Sequence, residues 1–171
     1  GSPFKDLTNI PGLSSDDVVN ISCGGSGQTR TYNVPAIGYW NFGNGTSGHP
    51  IVIQVWQDSS HGQGTAYFVS GLYQLFSGPS WFTFSGKYLT GSDGISHFKL
   101  DTSWTTKNVI ANINHFHLEY LDCSNGVAAL GDIGGGSLNN VEINNCYINM
   151  VDLAGDHLLY MACAGSVPTE N

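Results

Sequence analysis

Three stretches, His97-Phe98-Lys99-Leu100-Asp101, His115-Phe116-His117-Leu118-Glu119 and Asn140-Val141-Glu142-Ile143-Asn144, decide how this chain reads. Each alternates polar and apolar residues with a period of two, the pattern of a strand with one buried face. Their starts are 18 and 25 residues apart, spacings that suit successive coils of a solenoid. Stacked in register, they predict buried columns of Phe98, Phe116 and Val141, and of Leu100, Leu118 and Ile143. The outward columns are then His97, His115 and Asn140; Lys99, His117 and Glu142; and Asp101, Glu119 and Asn144. A flat polar wall with little net charge follows, a surface suited to hydrogen-bonding a sugar.

Working outward, the Asn-rich coils begin near Gly91-Ser92-Asp93-Gly94 and run to a loose C-terminal tail. Gly131-Asp132-Ile133-Gly134-Gly135-Gly136 reads as a bend between two of them, and residues 157–163 as a closing strand. Upstream, residues 18–23, 30–34, 51–57, 65–70, 72–76 and 81–85 read as short strands separated by glycine-rich turns. Nothing in 16–90 has helical periodicity, so that region reads as a β-sandwich or jelly-roll. Residues 1–15 read as an extended lead-in whose Gly1-Ser2 resembles a cloning scar, which makes the chain a piece of something longer. The expected fold is therefore all-β: a sandwich-like part over 16–90, then a short parallel β-helix-like stack over 91–171.

Composition narrows the partners. The net charge is −8 with only five Lys and Arg among 171 residues, which argues against nucleic acid and anionic membrane surfaces. No apolar window is long enough for a membrane-spanning helix, so membrane insertion is not expected. The 23 glycines imply many turns, and many turns imply many short strands. Cys23, Cys123, Cys146 and Cys163 include no CxxC pair, which argues against a structural zinc site. They read as buried thiols rather than disulfides.

Three arrangements carry candidate chemistry. His115-x-His117-x-Glu119 places two imidazoles and a carboxylate on one strand face, a possible metal half-site with His97 as the next donor. The same residues equally suit a solvated outer face, and the expectation is no metal and no cofactor. Glu119 and Glu142 become diagonal neighbours at roughly 8 Å from ordinary strand spacings, within the window of about 6.5–9.5 Å used by inverting glycosidases. Asp101, Asp122 and Asp132 are further options for that pair, and simple charge balance with Lys99 and His117 is the competing account. Trp40, Trp56, Trp81, Tyr39, Tyr67 and Tyr73 supply aromatic faces for stacking on a pyranose or for filling a core. Trp56 alternates with Val55 and is the best candidate for exposure. The glycan-binding set expected is Trp56, Trp40, Tyr67, His117, Asn140 and Asn144.

The run Leu138-Asn139-Asn140-Val141-Glu142-Ile143-Asn144-Asn145-Cys146 resembles a coil of the pectate-lyase-like parallel β-helix superfamily. Joined to a glycine-rich, helix-free part, it is similar to the C-terminal receptor-binding region of bacteriophage tailspikes and tail fibres. The resemblance implies a homotrimer on the phage tail of the virion, working outside the host at its surface and attached to bacterial cell-surface polysaccharide. It also implies depolymerase activity in the full protein. The lyases of that superfamily use a calcium-binding acidic cluster with Arg or Lys as base. Here the only arginine is Arg30, and Lys99 and Lys107 are the only lysines in or beside the coils, so this fragment is not expected to be a lyase. The expected function is glycan recognition and trimerisation, with an inverting glycoside hydrolase or a purely structural trimer lock as alternatives.

Overall fold

The computed structural model describes residues 10, 12–34, 42–70, 74–77, 80–89, 91, 93–100, 107–111, 114–123, 128–129 and 139–148. Among them the chain is all-β, with no helix. The strands in order are β1 (Val18–Ile21), β2 (Thr29–Val34), β3 (Ile51–Val55), β4 (Thr65–Ser70), β5 (Gln74–Ser77), β6 (Ser80–Ser85), β7 (Phe98–Leu100), β8 (Lys107–Ala111), β9 (Asn114–Glu119), β10 (Leu121–Cys123), β11 (Ala128–Ala129), β12 (Asn139–Asn144) and β13 (Tyr147–Ile148). They form three sheets, ordered β1-β3-β6-β9-β12, β13-β10-β7-β4-β2 and β11-β8-β5. Every pairing between these strands is parallel.

From β3 onward the chain visits the sheets in rotation, and each return adds one strand beside the last. In the first sheet Val18, Val52, Thr83, His117 and Glu142 lie side by side. The circuits between them are 34, 31, 34 and 25 residues long. Parallel neighbours need such long connections, because a tight turn can join only antiparallel strands.

The core follows from alternation. β3 reads buried–intermediate–buried–intermediate–buried, so Ile51, Ile53 and Val55 point inward while Val52 and Gln54 do not. Phe82, Phe84, Phe116 and Leu118 continue that inner face, and Ala66, Phe68, Phe98 and Leu100 face it from the second sheet. Phe98 lies 4.8 Å from Phe84 and 5.1 Å from Phe68 between ring centroids. Phe82 stacks on Phe116 at 5.7 Å. Each fully buried side chain of this kind contributes about 1.5–3 kcal/mol, so these rings outweigh the local preferences of the short strands.

Two expectations need correction. Residues 16–90 do not form a separate sandwich or jelly-roll: β1, β3 and β6 share a sheet with β9 and β12, and β2 and β4 share one with β7 and β10. Two five-stranded sheets thus run across the expected boundary near residue 90. Among the described residues, the glycine-rich run 24–27 lies between a strand of the first sheet and one of the second. Gly86 directly follows β6, where any Cβ would collide with the backbone oxygen of Tyr120 and with Phe98.

The three repeat stretches are also not three layers of one stack. Phe116 pairs with Val141 and Leu118 with Ile143 as expected. Phe98, however, pairs with Ala66 and Leu121 in the second sheet. The neighbour of β9 is β6, so the layer beneath Phe116 is Phe82. Period-two alternation states which face is buried and is silent about which sheet a strand joins. The expected strand over 157–163, and Asp101 and Asp132, lie outside the described residues.

Candidate functional site

The outer face of the first sheet carries the densest group of polar side chains that the sequence singles out. Three neighbouring strands, β6, β9 and β12, supply it. Register places Thr83, His117 and Glu142 in one row and Ser85, Glu119 and Asn144 in another. The pairs flanking Trp81, His115 and Asn140 place those three in a third row.

That third row is built unusually. Trp81, His115 and Asn140 have φ of 56°, 54° and 51°, the left-handed region that costs an ordinary L-residue about 1–2 kcal/mol. The indole and imidazole stack at 3.7 Å with 14° between their planes. Asn140 Nδ2 lies 2.6 Å from His115 Nε2. Three adjacent strands therefore hold the same uncommon backbone shape, and ring stacking and a hydrogen bond offset its cost.

The other rows are also tied together. Asn144 Nδ2 donates to Glu142 Oε1 at 2.7 Å and lies 3.2 Å from His117 Nε2. Ser85 Oγ donates to Glu119 Oε1 at 2.6 Å. Further along the same sheet, Gln54 Nε2 donates to Asn20 Oδ1 at 3.0 Å. Among the described residues of β6, β9 and β12 there is no lysine or arginine.

His117, Asn140 and Asn144 from the expected glycan set thus come together, and His115, Glu119 and Glu142 join them. The rest do not. Tyr67 is on β4, in the second sheet, side by side with Thr31 and Lys99. Trp56 follows β3 at the corner between the first two sheets, 41% exposed, with its ring stacked on His61 at 4.8 Å. Trp40 lies outside the described residues.

The carboxylate options separate in the same way. Glu119 and Glu142 are diagonal neighbours, since Glu119 pairs with Asn144 and Glu142 with His117. Asp122 belongs to β10 in the second sheet, where Lys99 Nζ lies 2.9 Å from its Oδ2. It follows Glu119 by three residues, across the corner from the first sheet, and is not part of the rows on that sheet's outer face.

His115, His117 and Glu119 do not converge on a common point. Each is engaged by a different neighbour: Asn140, Asn144 and Ser85. Among the described residues no group of three His, Cys, Asp or Glu side chains is placed to hold a metal ion. His97, the proposed further donor, is buried at 2% exposure, with Nδ1 2.6 Å from Gly64 O and Nε2 3.0 Å from Asp93 Oδ2.

Of the thiols, Cys23 and Cys146 are free. Burial pushes the Cys23 thiol up to about 12 despite a backbone hydrogen bond that lowers it. Burial also raises Cys146, and the nearby Glu119 charge adds to that rise. Neither is poised as a nucleophile, because the thiolate is the reactive form.

Ser85 and the aromatic–imidazole stack escape the sequence reading. The signal was present: Trp81-Phe82-Thr83-Phe84-Ser85 alternates in the same frame as residues 115–119, with apolar residues at matching positions. No family model, curated protein or solved structure matches this chain.

Proposed function

We propose that this chain is a short parallel β-helix from a bacteriophage tailspike or tail fibre. In this reading it forms a homotrimer on the virion and binds polysaccharide of the bacterial surface. The observation that carries the reading is the outer face of β6, β9 and β12. Its three rows present imidazoles, amides, the Thr83 hydroxyl and two carboxylates, one of them backed by the buried Ser85, with the Trp81–His115 stack at one side. Rows spaced by one strand separation, about 4.8 Å, give a linear polymer repeated partners along its length. Sugar recognition rests on such hydrogen-bonding planes beside an aromatic face, where C–H surfaces lose water while hydroxyls stay bonded.

The test is binding to an array of bacterial surface glycans, with native mass measurement for the trimer. A bound glycan whose signal falls at least tenfold in Trp81→Ala and Asn140→Ala, with strand content retained, supports the reading. No binding to any glycan by a folded trimer would leave a structural trimer lock.

A second reading is an inverting glycoside hydrolase. It is favoured by Glu119 and Glu142 lying diagonally on one face, about 8 Å apart by strand geometry. Release of oligosaccharide by the wild type, lost in Glu142→Gln, is its signature. Binding without release rejects it.

A further inference from the structure

We infer that His117, Asn144 and Glu142 form a proton-sensitive latch on the outer face of the first sheet. While the imidazole is neutral, the Asn144 amide bridges it to the carboxylate. Once the imidazole is protonated, a direct His117–Glu142 ion pair replaces the bridge. The latch itself stands on geometry alone; its consequence for glycan, that acid resets the binding face, rests on the reading proposed above.

The described histidines differ in what their ring nitrogens face. His49 lies 2.9 Å from Asp16, His61 2.8 Å from Asp58 and His97 3.0 Å from Asp93. A carboxylate accepts, so in these pairs the ring nitrogen donates. Those contacts hold whether or not the other ring nitrogen also carries a proton. His115 and His117 are different, because each ring nitrogen faces an amide nitrogen. An amide nitrogen only donates, so Nε2 must accept, and an accepting nitrogen carries no proton.

Amide orientations are set by their surroundings, because oxygen and nitrogen can exchange by rotation of the side chain. Asn140 can rotate and offer Oδ1 to a protonated His115. Asn144 cannot do so without loss. Its Nδ2 donates to Glu142 Oε1 at 2.7 Å, and rotation would set the amide oxygen against the carboxylate. The same nitrogen faces His117 Nε2 at 3.2 Å. The carboxylate therefore fixes the amide, and the amide fixes the tautomer of His117, with its proton on Nδ1. Free histidine prefers the opposite tautomer.

Protonation of Nε2 would place two donors face to face. Glu142 offers the escape, since it pairs directly with His117 across the strands. The bridge holds one bond to an ionised acceptor, Asn144 to Glu142, whereas an imidazolium–carboxylate bond is ionised on both sides and stronger. The Asn144 amide is then released toward solvent. Few other charges compete. Thr83 faces His117 from β6, a strand whose side chains include none that titrate below neutral pH. On β9 itself Glu119 is held by Ser85 Oγ and His115 by Asn140.

The test uses the whole chain labelled with nitrogen-15 and no glycan. Long-range proton–nitrogen spectra of the imidazoles and the Asn side-chain amides are followed from pH 8 to pH 5. At pH 8 His117 should carry its proton on Nδ1. The Asn144 amide signals should then shift with the same midpoint as His117. In Glu142→Gln the midpoint of His117 should fall while that of His115 changes less, and Asn144→Ala should abolish the tautomer preference with circular dichroism unchanged. An Nε2-protonated His117 at pH 8, or Asn144 signals that stay flat through the His117 titration, overturns the latch. Because the readout needs no ligand, failure of glycan binding and failure of the latch are separate results.

Discussion

Phe98→Ala tests whether one core joins the two halves of this chain. Phe98 lies on β7, beyond residue 90, yet its ring packs on Phe68 and Phe84 from before it. It is fully buried. Truncating a buried Phe costs about 3–5 kcal/mol, from lost transfer energy plus the cavity left behind. The two aromatic pairs place the expected loss toward the upper end of that range, since each such pair adds about 0.5–1.5 kcal/mol beyond burial. For a domain of this size about 2–4 °C of melting temperature goes with each kcal/mol, so a drop of about 6–20 °C is expected. The assay is thermal and urea unfolding followed by far-ultraviolet circular dichroism and by tryptophan fluorescence. Trp40, Trp56 and Trp81 lie upstream of the substitution and Trp104 downstream, so in a Trp104→Phe background fluorescence reports on the earlier half. A shared core shifts both signals together. If the fluorescence transition stays at its wild-type position while the dichroism signal partly moves, the halves unfold independently, and the argument for sheets that cross residue 90 fails.

Further outcomes follow from local geometry. Gly86→Ala should destabilise by about 1–3 kcal/mol or more, the usual scale of overpacking, because its Cβ would meet the Tyr120 oxygen and Phe98; the urea midpoint measures this. Burial raises Asp93, but hydrogen bonds from His97 and from the Ile95 N–H outweigh it and leave the carboxyl below its ordinary value. A carboxyl lowered in the folded state stabilises above its unfolded pKa, and that contribution is lost as pH falls through the folded one. The stability advantage of wild type over Asp93→Asn should therefore shrink between about pH 5 and pH 2, given an unfolded value of about 3.9, as read by urea unfolding at each pH. The Cys23 thiol, held up to about 12, should react with a disulfide reagent at pH 8 only as fast as the protein opens. Its raised value stabilises the fold below the ordinary thiol range and is lost as pH climbs toward 12. Equal labelling rates in Cys23-only protein and in an unfolded control would refute its burial.

Strand identity was largely legible in the sequence. Residues 51–57, 65–70, 81–85 and 115–119 all announce strands, and the pairing of Phe116 with Val141 and Leu118 with Ile143 follows from pattern alone. What the pattern lacks is a sheet label. Phe98 and Phe116 sit in identical frames, yet 18 residues are too few for a chain that takes 21 to 36 to regain the same sheet. Glycine-rich segments likewise suit either a hairpin or a corner, which is why residues 16–90 resembled a sandwich. At the wall, outward residues were identifiable by alternation, whereas their bonding was not. Nothing in the sequence distinguishes Glu119, which turns to Ser85, from Glu142, which turns to Asn144.

The division of labour between the two faces of the first sheet bears on where function can reside. Inward residues such as Phe82, Phe84, Phe116 and Leu118 each contribute about 1.5–3 kcal/mol by burial. Outward hydrogen bonds, competing with water, contribute nearer 0.5–1.5 kcal/mol apiece. The left-handed backbone at Trp81, His115 and Asn140 runs against that small gain, at about 1–2 kcal/mol for each residue. Stability alone would favour removing the strain, because a glycine or an ordinary extended residue satisfies the same ladder. Left-handed backbone also recurs at Tyr120 and Asn145, past the ends of β9 and β12, so on the reading proposed for this face it is what Trp81, His115 and Asn140 present that a mutation must test. The same reasoning sets the expected pattern of mutational effects. Replacing an inward ring should cost stability first, whereas replacing Trp81 or Asn140 should cost recognition first. A Trp81→Ala protein destabilised as severely as Phe82→Ala would place the stack in the core's account and remove the ground for reading that face as a binding surface.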